Sequence, residues 1–346
     1  MRGFGFEEHG GPDRLKYVEV PEPTPGPGEV RIGVRGAGLN HLDLFTLAGI
    51  PGVPIVRPHV LGSDASGIVD SLGSGVENVR VGDRVLVNPG FSDGTCEQCL
   101  RGQDSLCRNY RILGEHTQGS VAPFVVVSAR NVHPIPDGLG FPEAAAAPLV
   151  FETAWRALVT VGELRAGERV AIVGAGGGTA TAALQIAKLR GATVAVVSRS
   201  AAKAERARSL GADAGLTFDE SHPLDRVLWE WSGKRGVDLI FDSVGSPTIA
   251  RSLQAISRGG RIVVIGATAG SKAEIELRTL FWRQASIRGS TMASAAEFTA
   301  MLHELTEGRL RPVIDSVHPF ESARAAFLRL GAPDLFGKVV ISLPES

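Results

Sequence analysis

An apolar strand, a glycine-rich turn and a helix follow one another directly in the second half of this chain. Arg169–Val173 is a run of mostly apolar residues, the turn holds four glycines between Gly174 and Gly178, and Thr179–Leu189 has apolar residues at helical spacing. A glycine turn between a buried strand and a helix lets backbone N–H groups approach a bound pyrophosphate. The segment therefore predicts the first βαβ unit of a nucleotide-binding domain.

The same alternation of strand and helix continues beyond this turn. Further short apolar runs predict the strands Thr193–Val197, Asp238–Phe241 and Arg261–Ile265, and Ala201–Leu210 is predicted to be a helix. Nearly continuous apolar strands that alternate with helices are typical of a parallel sheet covered on both faces. This part of the chain is predicted to be a doubly wound α/β domain.

The first 130 residues have a different character. Short Val/Ile runs separated by Gly, Pro and Asp predict strands at Glu29–Val34, Ser66–Val69, Arg84–Val87 and Phe124–Val127. Helices are predicted at Pro142–Pro148 and Thr153–Val161, and four prolines make Pro21–Gly28 an extended connection. We predict an α/β protein with a β-rich domain of residues 1–150 and 292–346 and a nucleotide-binding domain of residues 151–291. A helix at Ala295–Glu307 and a strand at Lys338–Ser342 would rejoin the first domain.

Composition narrows the classes of function. The chain has 346 residues, 43% of them hydrophobic, and a formal net charge of −1, which gives no basic surface for nucleic acid or an anionic membrane. The N-terminus lacks an apolar signal core, and no apolar run reaches the roughly 18 residues that a membrane span needs. We expect a cytoplasmic protein that binds neither nucleic acid nor membrane.

All three cysteines lie in one short segment, Asp93-x2-Cys96-x2-Cys99-x7-Cys107. Zinc binds four tetrahedral donors, and both thiolates and carboxylates are acceptable. An odd number of cysteines in an otherwise cysteine-free chain does not suggest a secreted disulfide framework. The segment predicts a structural zinc site, because four protein donors leave no position open for a substrate. Three loop thiols without a metal are the alternative.

The end of the second strand of the nucleotide-binding domain indicates which cofactor is bound. An NAD site expects an acidic residue there to bond the ribose hydroxyls. This chain has Ser198 instead, with Arg199 and Lys203 nearby, and these cations would attract a 2′-phosphate. NADPH is therefore favoured over NADH, although both cations could simply be solvated. The turn itself supplies further cofactor-binding candidates: Gly174, Gly176, Gly177, Gly178, Thr179 and Ala180.

Several further segments complete a resemblance to a known family. They are Gly38–Asp43, His59–Gly67, Val81–Val85, Ala145–Leu149 and Phe336–Val340. With the cysteine segment and the glycine turn, the chain resembles the medium-chain dehydrogenase/reductase superfamily of zinc-type alcohol dehydrogenases and quinone oxidoreductases over essentially its whole length. The resemblance implies a GroES-like catalytic domain, a Rossmann domain and a cofactor cleft between them. It also implies a homodimer or homotetramer, and we expect the subunits to pair along an edge strand near Arg261–Ile265 and Ser286–Gly289.

The resemblance also shows what this chain lacks. Where zinc-dependent members carry a cysteine, a histidine and a third ligand, this sequence has Asn40, Ser63 and Leu149, and Leu42 stands at the usual proton-relay position. A catalytic zinc needs three protein donors and an open position. We therefore expect the structural zinc without the catalytic one.

Other site residues follow from the resemblance. Asn40, His41, Ser63 and Asp64 are the catalytic candidates: Asn40 could bond the cofactor ribose or polarise a carbonyl, and Ser63 or Asp64 could orient a water. His41 could contact the pyrophosphate or donate a proton, and Asp43 is expected to be a buried structural carboxylate. The further cofactor-binding candidates are Thr153, Ser243, Val244, Gly245, Gly266, Ala267 and Lys338.

Three functions fit these observations. The first is zinc-free reduction of a quinone or an α,β-unsaturated carbonyl by hydride transfer from NADPH. The second is an alcohol or aldehyde dehydrogenase whose metal is held by substitute ligands such as Asp64 and Glu152. The third is a nucleotide-binding protein without turnover. The substrate in the first two is a small molecule.

Overall fold

The computed structural model describes residues 1–345, and the chain forms two compact units. The first unit comprises residues 1–150 and the residues from 294 onward, and the second comprises Phe151–Ala293. Each unit has its own hydrophobic core. Within the described residues, every helix is too short or too polar to cross a bilayer.

The first segment of unit 1 is mostly β-structure. Its strands are β1 (Arg2–Phe6), β2 (Lys16–Glu19), β3 (Glu29–Gly38), β4 (His59–Val60), β5 (Asp64–Leu72), β6 (Arg84–Val87), β7 (Gly90–Phe91), β8 (Arg111–Ile112), β9 (Phe124–Ser128) and β10 (Val132–Pro134). Its helices are α1 (His41–Ala48), α2 (Glu97–Leu100), α3 (Phe141–Ala146) and α4 (Pro148–Trp155), the last of which continues into unit 2. Single 3₁₀ turns lie at Pro12–Arg14, Asp104–Leu106 and Ala129–Asn131.

Unit 2 alternates strands and helices. Its elements are a π-helical turn (Arg156–Val161), β11 (Arg169–Val173), α5 (Gly178–Leu189), β12 (Thr193–Ser198), α6 (Ala201–Ser209), β13 (Ala214–Thr217), α7 (Leu224–Trp231), β14 (Val237–Asp242), α8 (Ser246–Ala255), β15 (Ile256–Val264), α9 (Leu277–Arg283) and β16 (Ser286–Gly289). The strands form one parallel sheet in the order β13-β12-β11-β14-β15-β16. The inner strands β11 and β12 are buried at almost every position, which explains their continuous apolar sequence.

The chain then returns to unit 1 with α10 (Ala295–Thr306), β17 (Ile314–Pro319), a 3₁₀ turn (Phe320–Ser322), α11 (Ala323–Leu330) and β18 (Lys338–Ser342). The main sheet of this unit runs β10-β6-β5-β3-β18-β17, and β9 also pairs with β3. Strand β18 therefore lies between β3 and β17, inside the sheet. The predicted α/β class, with a β-rich part and a parallel-sheet part, is confirmed.

Two predictions for segments of unit 2 differ from the structure in more than the exact ends of an element. The helix expected over Thr153–Val161 is the end of α4 followed by the π-helical turn. Arg261–Ile265 was expected at a sheet edge, but it belongs mainly to β15, which lies between β14 and β16. Strand β16 is the edge strand on that side of the sheet. The short segment Ser286–Gly289 pairs with β15 and so extends the sheet by one strand.

Candidate functional site

Three neighbouring strands of unit 1 bring distant polar residues to one end of the main sheet. Asn40 follows β3, Asp64 begins β5 and Lys338 begins β18. Gly38 of β3 is paired with Asp64 on one side and with Val340 on the other. Gly38 must be glycine, because a Cβ there would lie 2.1 Å from the carbonyl oxygen of Ala145.

The side chains of Asn40, Asp64 and Lys338 form a closed triad. Lys338 Nζ lies 2.6 Å from Asn40 Oδ1 and 2.8 Å from Asp64 Oδ2, and Asn40 Nδ2 donates to the same carboxylate oxygen at 2.9 Å. The other carboxylate oxygen accepts the backbone N–H of Leu149 at 2.8 Å. All three side chains are buried, so the charges of Asp64 and Lys338 neutralise each other away from water.

Asp43 supports this triad from α1. Its carboxylate accepts the backbone N–H of Asn40 at 2.7 Å and that of Gly62 at 2.8 Å. Burial raises the pKa of Asp43 to about 7, although these two N–H groups and the Lys338 ammonium act in the opposite direction. The expected burial of Asp43 is confirmed, and its two hydrogen bonds join the start of α1 to the loop before β5.

Two of the four catalytic candidates have contacts that constrain their chemistry. The side-chain amide of Asn40 uses both its oxygen and its nitrogen within the triad, and the carboxylate of Asp64 accepts three hydrogen bonds. Ser63 is fully buried, and its hydroxyl has no hydrogen-bond partner among the described residues. His41 lies exposed at the start of α1. Ser63 is thus the member of this group whose hydroxyl remains available for a ligand or a water.

The glycine turn of unit 2 has the backbone shape that a pyrophosphate requires. Gly174 and Gly176 adopt φ values of +97° and +104°, which disfavour other residues. Gly177 caps α5 with φ −70°, and a Cβ built on it would meet no atom within 4 Å. A ligand could therefore approach the start of α5 at Gly177, and the first N–H groups of a helix are groups that bind anions. Thr179 and Ala180 lie in the first turn of this helix.

The carboxyl ends of β14 and β15 lie beside this turn. A Cβ on Gly174 would approach Val244 Cγ2 at 3.0 Å and Ser243 Oγ at 3.1 Å, and one on Gly245 would approach Ala267 Cα at 2.9 Å. Gly266 lies close to the carbonyl of Ser243 in the same way. The structure thus brings together the predicted cofactor-binding residues of unit 2 that follow these strands.

Sequence reasoning missed the residue that shapes this loop. Asp242 is fully buried, accepts the N–H groups of Val244 and Gly245 at 2.9 Å each, and accepts the Thr248 hydroxyl at 2.7 Å. Burial raises its pKa. An aspartate at a strand end followed by Ser-Val-Gly is a signal for such a turn, so this residue could have been found from the sequence.

The remaining cofactor candidates are placed as follows. Ser198 ends β12, and its hydroxyl accepts the N–H of Ser200 at 3.0 Å, whereas Arg199 is exposed and Lys203 is half-buried on α6. Thr153 is buried on α4 with its hydroxyl 4.0 Å from Met292 Sδ. Lys338, expected from the resemblance to reach the cofactor, is 3% exposed and turned toward Asn40 and Asp64.

The cysteine segment forms a compact donor cluster in unit 1. One ligand atom from each of Asp93, Cys96, Cys99 and Cys107 lies within 4.8 Å of the others. Oδ1 of Asp93 accepts the N–H groups of Thr95 and Cys96 at 2.9 Å each. These N–H groups and the Asn109 side chain lower the pKa of Asp93 and hold it as an anion. One carboxylate and three thiols in this arrangement match the donor chemistry of a closed tetrahedral zinc site.

Family comparisons agree with this architecture. Residues 26–137 match the model of the alcohol dehydrogenase GroES-like domain, and residues 178–307 match the model of zinc-binding dehydrogenases. The predicted GroES-like and Rossmann combination is therefore confirmed.

Individual relatives span almost the whole chain. An acryloyl-coenzyme A reductase of Sulfurisphaera tokodaii is 31% identical, with 94% of this chain and 96% of the relative covered. A zinc-type alcohol dehydrogenase-like protein of Schizosaccharomyces pombe is 30% identical, with 99% of both covered. A quinone oxidoreductase of Mus musculus is 29% identical, with 94% of this chain and 92% of the relative covered.

Solved structures of alcohol dehydrogenases are also similar to this chain over almost its whole length. The crystal structure of an NAD-dependent alcohol dehydrogenase is 42% identical with a TM-score of 0.93, and 99% of this chain and 100% of that chain are covered. A cobalt- and zinc-bound thermostable alcohol dehydrogenase from Pyrobaculum aerophilum is 35% identical with a TM-score of 0.88, and 99% of both chains are covered. This chain belongs to the medium-chain dehydrogenase/reductase superfamily of zinc-type alcohol dehydrogenases and quinone oxidoreductases, and it is a nicotinamide-dependent oxidoreductase.

Proposed function

We propose that this protein reduces a quinone or an α,β-unsaturated carbonyl with NADPH and without a catalytic zinc. The observation that carries the proposal is the contact of Asp64 with the buried ammonium of Lys338. The two carboxylate oxygens of Asp64 accept bonds from Lys338, Asn40 and the Leu149 backbone N–H, so a metal bound by Asp64 would have to displace Lys338 or lie beside its positive charge. Asn40, Ser63 and Leu149 are poor ligands or none. A buried ammonium at this place also repels a divalent cation.

Without a Lewis acid, the acceptor must already be polarised. When bound, the nicotinamide cofactor supplies the hydride. The protein then has to orient the acceptor, stabilise the charge that develops on its carbonyl oxygen and provide a proton. The Ser63 hydroxyl is the uncommitted donor in the triad region, and exposed His41 is the candidate proton source. The names of the acryloyl-coenzyme A reductase and quinone oxidoreductase relatives support an activated acceptor.

NADPH as the electron donor is supported by the end of β12. Ser198 adds no negative charge there, its hydroxyl is bonded to the Ser200 N–H, and Arg199 is exposed beside it. A carboxylate would repel a 2′-phosphate, and a guanidinium would attract it. The name of the NAD-dependent structural neighbour is the argument for NADH, and comparing the two cofactors with the same acceptor separates these possibilities.

One structural zinc is proposed at Asp93, Cys96, Cys99 and Cys107. The hydrogen bonds that Asp93 Oδ1 accepts from two backbone N–H groups leave its carboxylate ionised and fixed beside Cys99 Sγ, 3.4 Å away. Bound there, zinc stabilises the loop by linking its two ends. We further propose a homodimer or homotetramer, a cytoplasmic location and catalysis by Asn40, His41, Ser63 and Asp64 acting together.

A metal-dependent alcohol or aldehyde dehydrogenase is the second candidate. It is favoured by the cobalt- and zinc-bound neighbour, and it would require Glu152, which is fully buried, together with displacement of Lys338 from Asp64. Zinc analysis distinguishes the two: the proposal expects one zinc per chain, and the alternative expects two.

The decisive experiment is acceptor-dependent oxidation of NADPH by protein dialysed against a chelator. The panel contains quinones, enones, enoyl thioesters and aldehydes. Turnover with a quinone or an enone supports the proposal. Activity on aldehydes alone, restored by added zinc, would overturn it in favour of the second candidate. Tight NADPH binding without oxidation by any acceptor would indicate a nucleotide-binding protein without turnover.

A further inference from the structure

Asp242 ends β14 as a fully buried carboxylate, and none of its partners among the described residues carries a positive charge. It accepts two backbone N–H groups and the Thr248 hydroxyl. Asp238, at the amino end of the same strand, has a side chain 23% exposed and pairs with the Arg169 guanidinium at 3.1 Å. Burial of a carboxylate is unfavourable unless the group is paired or hydrogen-bonded. Asp242 therefore depends entirely on its three hydrogen bonds.

Two of these bonds fold the loop that follows β14. Oδ1 of Asp242 accepts the N–H groups of both Val244 and Gly245 at 2.9 Å, as a turn-forming aspartate does. Gly245 has a φ of +91°, and a Cβ there would lie 2.5 Å from the carbonyl oxygen of Gly270. The carboxylate thus holds the β14 loop in a conformation that brings it against the loop after β15.

Backbone hydrogen bonds join these two loops directly. The Ala269 N–H donates to the Val244 carbonyl at 2.9 Å, and the Ser246 N–H donates to the Gly270 carbonyl at the same distance. Both N–H groups that Asp242 accepts belong to the β14 loop itself, so the carbonyl of Val244 remains available for Ala269. The position of the loop after β15 therefore depends on how Asp242 folds the loop before it.

On its other side, the β14 loop contacts the glycine turn. The Ser243 hydroxyl donates to the Val173 carbonyl at 3.4 Å. A Cβ on Gly174 would lie 3.0 Å from Val244 Cγ2, which shows how closely the turn and the loop approach each other. The β14 loop therefore lies between the glycine turn and the loop after β15, and both neighbours hold predicted cofactor-binding residues.

We propose that Asp242 is a positioning residue for the nicotinamide cofactor. Its carboxylate fixes the β14 loop, and this loop sets the spacing between the glycine turn and the loop after β15. Because the side chain is fully buried, Asp242 acts through the backbone of the loop and not by touching the cofactor. Thr248 supports Asp242 by donating its hydroxyl to Oδ2 at 2.7 Å. The inference goes beyond the proposed zinc-free reduction, since it requires only that unit 2 binds a nicotinamide cofactor.

The test uses four variants of the full-length protein. Asp242→Ala removes the carboxylate, whereas Asp242→Asn keeps one oxygen for both N–H groups and leaves the Thr248 hydroxyl able to donate to the Gly245 carbonyl, 3.0 Å away. Thr248→Val removes the hydroxyl at almost constant volume. Asp238→Ala is the matched control, because it breaks an ion pair at the opposite end of the same strand. Each protein is assayed for Tm, for the Kd of NADPH and of NADH by fluorescence, and for the KM of the acceptor.

We expect Asp242→Ala to raise the Kd of the preferred cofactor at least about tenfold, because the two N–H groups lose their acceptor and the loop spacing is no longer fixed. Thr248→Val should raise this Kd about threefold, and Asp242→Asn should keep it within about twofold of wild type. The KM of the acceptor should stay within about threefold in all variants. Asp238→Ala should lower Tm but leave the Kd within about twofold.

Two results would overturn the inference. One is a wild-type Kd in a folded Asp242→Ala variant, or in Thr248→Val if Asp242→Ala does not fold. The other is an equal rise of the Kd in Asp238→Ala, which would mean that cofactor affinity follows the general stability of unit 2. A failure of the proposed function would be seen separately, as turnover that requires added zinc. The cofactor Kd values decide the role of Asp242 in that case too.

Discussion

The carboxylate of Asp43 accepts the backbone N–H of Gly62 at 2.8 Å and so ties the start of α1 to the loop that carries Ser63 and Asp64. Because Asp43 also accepts the N–H of Asn40, one buried carboxylate supports both sides of the triad. Its ionisation near neutral pH has a measurable consequence for stability.

We expect Asp43 to make folding stability fall as pH rises from about 4 to 7. Its folded pKa of about 7 lies above the ordinary value of 3.8, so the unfolded chain releases a proton in this window that the folded protein retains. The stability advantage is complete below the lower value and lost above the higher one, at up to about 1.4 kcal/mol per pH unit. Urea unfolding of wild type and of Asp43→Asn at several pH values in this range measures the effect. The difference between their free energies of unfolding should change with pH.

Asp315→Asn is the control for that experiment. The Arg329 guanidinium lowers the pKa of Asp315 to about 2, so its contribution is lost only as pH falls below the ordinary value. The difference in free energy of unfolding between wild type and Asp315→Asn should be constant from about pH 4 to 7. A constant difference for Asp43→Asn as well would show that Asp43 ionises normally.

Gly177→Ala should weaken cofactor binding without harming the fold. The residue has φ −70°, and its new Cβ would meet no protein atom within 4 Å, so the free energy of unfolding should change by less than about 1 kcal/mol. The methyl group would occupy the space that a pyrophosphate needs, and the Kd of NADPH should rise at least about tenfold. Gly331→Ala at the end of α11, where a Cβ makes only ordinary contact, should leave the Kd unchanged. An unchanged Kd in Gly177→Ala would mean that the cofactor binds elsewhere.

Ser198→Asp should shift the cofactor preference toward NADH. A carboxylate at the end of β12 would repel a 2′-phosphate and accept bonds from ribose hydroxyls. The NADPH/NADH ratio of kcat/KM should fall by about tenfold or more, equivalent to about 1.4 kcal/mol. Ser209→Asp adds the same charge at the opposite end of α6 and should leave this ratio as it is. If the ratio is equally insensitive in Ser198→Asp, the phosphate-site assignment is wrong.

Cys99→Ser should remove the zinc and lower Tm by roughly 5–10 °C, because the loop loses the ion that joins its ends. Metal analysis should show one zinc fewer per chain, and a chelator should lower the Tm of wild type but not that of the variant. At low temperature kcat should be nearly unchanged. A large loss of kcat in a well-folded variant would contradict a purely structural role for Cys99.

Trp282→Glu should shift the oligomer toward monomer. Leu277, Phe281 and Trp282 on α9 are 64%, 65% and 66% exposed, and the neighbouring β16 ends the sheet with one side unpaired. A second copy that pairs along this edge would cover both features. Light scattering after gel filtration measures the mass. Leu100→Glu, which changes an exposed apolar residue on α2, is the control. A Trp282→Glu oligomer as stable as wild type would exclude this face.

Local sequence patterns predicted the elements well where one physical signal dominates. Arg84–Val87, Arg169–Val173 and Lys338–Ser342 are strands with the predicted bounds. Strand β3 was predicted to end at Val34 but continues to Gly38, because β5 and β18 pair with its glycine-rich end. Glycine and alanine carry no strand signal of their own, so this extension depends on neighbours that are distant in sequence.

The candidate site was predictable only in part for the same reason. The donor cluster at Asp93–Cys107 is local, and its spacing alone indicated it. Lys338 contacts Asn40 across 298 residues and Asp64 across 274 residues. A contact between residues so far apart in sequence leaves no periodic pattern in the chain. The family resemblance predicted that Lys338 contacts the cofactor, whereas the order of the strands places its side chain against Asn40 and Asp64.

The position of β18 inside the main sheet sets the order in which the protein can be completed during synthesis. At ribosomal rates of about 5–20 residues per second, the 298 residues between Asn40 and Lys338 correspond to about 15–60 s. All of unit 2 emerges within that interval and can fold first. During this time the place of β18 beside β3 is empty, and Asn40 and Asp64 lack the contact with the Lys338 ammonium. The polar centre of unit 1 is therefore among the last parts of the molecule to form.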